Sequence, residues 1–156
     1  ISQSKSGELS CHRMLMYFER KFHCSQAVLA AYAKECEISE KQALKLGSCF
    51  GSGMRKGEVC GACTGALMVL GLMYGQYDET DIMSRQLSNE LNDKMINEFE
   101  KVCGSYICNE LLGCDISTKE GIEYACDNNL FTDFCPKMVA NAVDILEQII
   151  SERAEI

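Results

Sequence analysis

Apolar residues recur at three- and four-residue spacing along nearly the whole chain, and period-2 alternation is almost absent. That pattern predicts helices joined by short turns. Residues 8–20 form the first and residues 24–35 the second, with Ala27, Val28, Ala31 and Tyr32 on one face. Lys21-Phe22-His23 is either a break or a continuation between them. Ser39-Glu-Lys-Gln42 has the form of a capping box and opens a short helix toward Leu46. Residues 61–74 are apolar all round, which places that helix at the centre of the fold. Residues 78–102 carry Met83, Leu87, Leu91, Met95 and Phe99 at every fourth position, a long amphipathic helix stopped by Gly104. A short helix over 105–112 is closed by Gly113. Ser117-Thr-Lys-Glu120 reads as a second capping box and opens a helix toward Asn128. The last helix starts at Cys135-Pro136, where a proline loses no hydrogen bond, and its apolar face is Met138, Val139, Ala142, Val143, Leu146, Ile149 and Ile150. The expectation is an all-α fold: one domain over residues 1–156, a bundle of about six to eight helices around the helix at 61–74.

Composition narrows the classes of function. The 156 residues are 47% apolar, enough for one domain with a real core. The net charge of −8 argues against nucleic acid and anionic membrane surfaces. The apolar stretches at 66–74 and 138–150 are too short or interrupted to span a bilayer. No signal peptide is visible. An odd count of 11 cysteines with 8 methionines points to a reducing cytoplasm, with thiols kept for metal binding or redox work.

The chemistry concentrates where the glycines do. Half of the 12 glycines lie between Gly47 and Gly65, and this segment delivers Cys60-Gly-Ala-Cys63 to the start of the apolar helix. A thiol on the first turn of a helix is favoured as thiolate by the helix dipole. A thioredoxin reading lacks its βαβ context, and covalent c-type haem is ruled out by Thr64. Cys24 and Cys135 also stand at predicted helix starts, so three sulfurs could converge on one electropositive spot, with Cys108 completing a set of four. Cys63 is the companion thiol, and Gly61 and Gly65 are the candidate cofactor-contacting positions. Cys11, Cys36, Cys49 and Cys126 lack a partner spacing and read as packing, Cys49 being the one that leads into the glycine loop. His23 reads as a cap or surface residue rather than a ligand, and His12 is weaker still. Arg55 and Lys56 could assist backbone N–H groups in holding an anion, but the loop has no P-loop ending. Glu90, Asp93, Glu98 and Glu100 read as a solvated face.

Cys24-Ser-Gln-Ala-Val, Gly51-x-Gly53, Gly57-Glu-Val-Cys60-Gly-Ala-x-x-Gly65-Ala-Leu-Met, Cys108 and Cys135-Pro136-Lys together resemble the C_GCAxxG_C_C family of redox-active proteins, over residues 10–150. The resemblance implies a small helical protein of bacteria or archaea. It also implies that the four characteristic cysteines are Cys24, Cys60, Cys108 and Cys135. Cys63 occupies one of the motif's variable positions, and Cys103 and Cys114 flank Cys108 as extras.

Two functions are compatible with this pattern. In the first, Cys60 is the low-pKa attacking thiol and Cys63, Cys24, Cys108 or Cys135 resolves the mixed disulfide, passing electrons to an unknown protein partner. In the second, Cys24, Cys60, Cys108 and Cys135 ligate an iron–sulfur cluster or zinc. A third, structural reading leaves the thiols as core filler. No nucleic-acid partner and no membrane insertion are expected, and self-association into an oligomer is compatible with either function.

Overall fold

Seven of the eight residues of the second helix are buried, and the rest of the fold is arranged about it. The computed structural model describes residues 5–155, with side chains from Leu9 onward. Its α-helices are α1 (Lys5–Glu19), α2 (Cys24–Ala31), α3 (Glu40–Gly47), α4 (Gly61–Tyr74), α5 (Ile82–Cys103), α6 (Cys108–Leu112), α7 (Lys119–Asp127) and α8 (Cys135–Ala154). Two wide turns, Gly53–Gly57 and Leu130–Phe134, lead into α4 and α8. The all-α, single-domain expectation holds.

Helix α2 packs on α1, α3, α4 and α8, whereas α4 packs on α2, α5 and α8. The centre is therefore shared. Gly61, Ala62, Cys63, Gly65, Ala66, Val69 and Leu70 of α4 are buried, but its C-terminal part emerges, with Leu72 45% exposed. The all-round apolar pattern overstated the enclosure of α4: in its last turn Met73 and Tyr74 pack on the core, Tyr74 beneath Arg153 of α8, while Gly71 and Leu72 face outward. Polar groups tie α2 to its neighbours: Ser25 Oγ donates to the Gly47 carbonyl at 2.6 Å, Gln26 Nε2 to the Leu44 carbonyl at 2.9 Å, and Tyr32 Oη to Glu147 at 2.6 Å.

Most boundaries follow the sequence. Ser39 caps α3 with Gln42 in the expected box. Gly104 and Gly113 end α5 and α6 in the left-handed conformation. Helix α1 begins at Lys5 instead of residue 8 and α6 at Cys108 instead of residue 105, and three further boundaries shift. Helix α2 stops at Ala31, where Tyr32 and Ala33 bond back only three residues, to Leu29 and Ala30, and the chain goes on as turns to a left-handed Glu37 (φ 59°). Helix α5 begins at Ile82: Asp78 bonds Thr80 in a local turn and Asp81 caps the helix through Ser84. Helix α7 is capped by Thr118 onto Gly121, not by a Ser117–Glu120 box, since Ser117 is drawn to Asp115 at 2.6 Å.

The interior divides into two clusters. The main one runs through α1, α2, α4, α5 and α8. A smaller one comprises Cys108, Leu112, Ile116 and Ala125, with Cys114, Phe131, Phe134 and Cys135 packed against it. Phe134 touches both, so the α6–α7 lobe sits on the N-terminal end of α8 as a separate small core.

Candidate functional site: a cavity walled by four thiols

Each of the four cysteines opens a helix. Cys24, Cys108 and Cys135 are the first residues of α2, α6 and α8, and Cys60 is the residue just before α4. One cavity of about 30 Å³ is lined by all four, together with Ser52 and Gly61. Its remaining wall is apolar: Leu111, Leu112, Phe131, Phe134 and Met138. It lies at the seam between the two interior clusters.

Two backbone devices bring the sulfurs together. The first is a single antiparallel bridge of Val59 with Ile107. Cys60 N donates to the Tyr106 carbonyl at 2.8 Å, and Cys108 N donates to the Glu58 carbonyl at 2.6 Å, so the bridge clamps the starts of α4 and α6. The second is a left-handed run, with φ of 55° at Ser52, 58° at Gly53, 57° at Met54 and 61° at Arg55. Side chains in this region cost roughly 1–2 kcal/mol each, so the surrounding packing has to enforce it. Gly57 (φ 69°) completes the turn; a Cβ there would lie 1.9 Å from the Asn109 side chain. The result places Ser52 on the cavity wall and leaves Arg55 and Lys56 exposed.

The electrostatics distinguish the four thiols. The Cys135 thiol donates to the Cys24 sulfur and pulls it below the usual thiol range; burial opposes this, and the N–H groups of Cys24 and Ser52 assist. Cys135, as donor, is pushed well up by that bond, by burial and by the negative charge at Cys24. Burial and then the Cys24 charge push Cys60 up, outweighing the N–H groups of Ala62 and Cys63. Burial, Cys24 and Cys114 push Cys108 up to about 12. The Cys24 sulfur is therefore shifted down while Cys60, Cys108 and Cys135 are shifted up. The direction at Cys60 is opposite to that expected of a low-pKa thiol: both Cys24 and Cys60 stand at helix starts, but Cys60 is only 6% exposed and burial leads the causes acting on it.

The family model for C_GCAxxG_C_C, described as "Putative redox-active protein", matches residues 22–149. The chain belongs to this family. No curated protein and no solved structure matched the chain. In this C_GCAxxG_C_C protein the four characteristic cysteines named by the resemblance are the four on the cavity wall.

The other sequence candidates lie elsewhere. Cys63 is fully buried on α4 and does not line the cavity; burial and the neighbouring Cys103 push it up to about 12. Asn141 Nδ2 approaches Cys103 Sγ at 3.5 Å. Gly61 lines the cavity, but a Cβ on it would meet the Phe50 carbonyl at 3.1 Å and Cys24 Cβ at 3.3 Å, so it permits close approach of α4 to α2. Gly65 packs against Ser25 and Val28 of α2 and is not among the residues lining the cavity. His23 is exposed and precedes α2 as its cap residue, its N–H bonded to Gln26 at 2.9 Å. Cys36 is buried, whereas Cys49 and Cys126 are exposed and Cys11 is half-buried.

Ser52, the Val59–Ile107 bridge and the Phe131–Phe134 wall were missed by sequence reasoning. The glycine density was the available signal for the strained loop. Nothing in the pattern announced a one-residue bridge.

The four sulfurs are also the donor set a Cys₄ metal centre needs. The cavity has space for roughly one or two waters. Among the described residues no three Cys, His, Asp or Glu side chains stand in an arrangement that could hold a metal ion. A cluster of four irons would require the wall to open.

Proposed function

We propose that this redox family member performs thiol–disulfide exchange, with Cys24 as the attacking thiolate and Cys135 as the resolving thiol. The observation that carries this reading is the single cavity whose wall gathers Cys24, Cys135 and two further thiols, and the lowering of Cys24 by Cys135 supports it. The Cys24 thiolate attacks one sulfur of a substrate disulfide; a Cys24–substrate bond forms and the other half leaves as thiolate, taking the Cys135 proton. Cys135, now deprotonated, attacks the Cys24 sulfur and expels the second half. The substrate gains two electrons and the protein holds a Cys24–Cys135 disulfide. Helices α2 and α8 favour negative charge at the site through their N-terminal dipoles.

The test is the release of mercaptoethanol from hydroxyethyl disulfide by anaerobically reduced protein. The wild type is expected to show a rapid first release that Cys24→Ser lacks. Equal release by both would reject Cys24 as nucleophile.

The second reading, iron–sulfur or zinc ligation by Cys24, Cys60, Cys108 and Cys135, has the four thiols at four helix starts in its support, but would need them to move together, since no three stand in a metal-holding arrangement among the described residues. Stoichiometric iron with visible absorption, or stoichiometric zinc, in anaerobically purified protein would select it over exchange.

A further inference from the structure

We infer that Cys114 is a second-stage catalytic thiol, which takes the disulfide out of the cavity to the protein surface through Cys108. This inference rests on the exchange reading. A Cys24–Cys135 disulfide would lie on the wall of a cavity that Cys108 also lines, between Leu111 and Phe134. The fold offers a second thiol beyond Cys108. Cys108 lies on the cavity wall and is only 7% exposed. Helix α6 is a single turn that ends at Gly113, whose φ of 70° and N–H bond to the Asn109 carbonyl at 2.9 Å form a left-handed C-cap. That motif folds the residue after the glycine back against the start of the preceding turn. Here that residue is Cys114, which packs against the small core containing Cys108 and Leu112 and remains partly exposed. The charge of Cys114 is also felt at Cys108, as is that of Cys24, so Cys108 stands between a cavity thiol and a surface one. Cys63 offers no comparable route: it lies outside the cavity lining and neighbours Cys103 instead.

The steps balance. Cys108 attacks the Cys24 sulfur of the Cys24–Cys135 disulfide; a Cys24–Cys108 bond forms, and the proton of Cys108 passes to the departing Cys135 sulfur. Cys114 then attacks the Cys108 sulfur, releasing Cys24 as the thiolate with which the cycle began. The proton of Cys114 goes to solvent and balances the second half of the substrate, which left as thiolate, while Cys135 already holds the proton of Cys108. The Cys108–Cys114 disulfide is reduced by an external dithiol, which is itself oxidised to a disulfide.

The test uses the full chain, reduced and mixed anaerobically with an equivalent of hydroxyethyl disulfide, then quenched with N-ethylmaleimide. Proteolysis after Glu110 separates Cys108 from Cys114, so a link between them is read directly by mass. The wild type is expected to form the Cys24–Cys135 link first and the Cys108–Cys114 link after it. Cys114→Ser is a mild change at a partly exposed position. It is expected to keep the first release of mercaptoethanol and lose the second link. With excess dithiothreitol as the dithiol, its steady-state turnover is expected to fall at least about tenfold, because an internal thiol acts at high effective concentration. Wild-type turnover by Cys114→Ser, or absence of the Cys108–Cys114 link when first release is intact, would overturn the outlet and leave Cys24 exchange standing. A wild type with no first release would overturn both.

Discussion

Cys60 and Cys63 are three residues apart in the sequence, yet they belong to two different thiol regions. Cys60 lies on the wall of a cavity with Cys24, Cys108 and Cys135, where a thiol and two backbone N–H groups lower the pKa of the Cys24 sulfur. Cys63 is buried without exposure beside Cys103, where burial leads the causes that push both sulfurs up and the Asn141 amide is the one opposing influence. The spacing of a Cys-x-x-Cys motif therefore says little about reactivity here. What separates the regions is the supply of donors: helix starts and a neighbouring S–H in one, packed apolar side chains in the other.

The contrast is sharpest if a thiol from each region is replaced. Cys24→Ser is expected to slow the fastest disulfide reaction by at least about a hundredfold, because a hydroxyl is a poor nucleophile at neutral pH. Cys63→Ser is expected to leave that reaction within about twofold, since it removes no donor from the cavity. A comparable loss from both would merge the two regions into one site. Stability should respond in the opposite sense. Cys63→Ser buries a hydroxyl with no ready partner and is expected to cost about 1–3 kcal/mol in urea unfolding. Cys24→Ser, at a half-buried helix start where a hydroxyl can cap, should cost less than that.

Cys135→Ala removes the S–H directed at Cys24. The Cys24 sulfur should then titrate at higher pH, and its alkylation at neutral pH should slow. An unchanged rate would transfer the stabilisation to the N–H groups of Cys24 and Ser52. Asn141→Leu is the smallest change: it alters only Cys103, and cavity chemistry should stay within about twofold.

The fold was largely legible because it depends on periodicity and punctuation. Leu91, Met95 and Phe99 are buried on α5 as their spacing implied, although Met83 at the same spacing is 77% exposed because nothing packs on the first turn. Gly104, Gly113 and Ser39 did what such residues do locally. The site was legible as a set of residues and illegible as chemistry. Its four cysteines were marked by their positions at helix starts. Their order of acidity depends on burial and on which thiol points at which sulfur, and neither quantity is local in sequence. Cys60 and Cys24 look equivalent as helix-start cysteines; only the packing of α8 onto α2 gives Cys24 a donor. The strained run at Ser52–Arg55 was visible only as a density of glycines, and its non-glycine members had no signal at all.

The central claim is that Cys24 is the thiolate of this protein, and the most direct measurement is its alkylation by iodoacetamide as a function of pH, read residue by residue by mass spectrometry. The sign follows from the lowered pKa: the thiolate is present above the folded value and is lost as pH falls through it, together with the stability it contributes relative to the unfolded chain. Cys24 is expected to be labelled first among the cavity thiols, at a rate that has levelled off before pH reaches the ordinary thiol value of 9.0. Cys60 and Cys108 should stay unlabelled through that range and still be rising beyond it. Labelling of Cys60 ahead of Cys24, or a Cys24 rate still climbing through 9.0, would contradict the assignment.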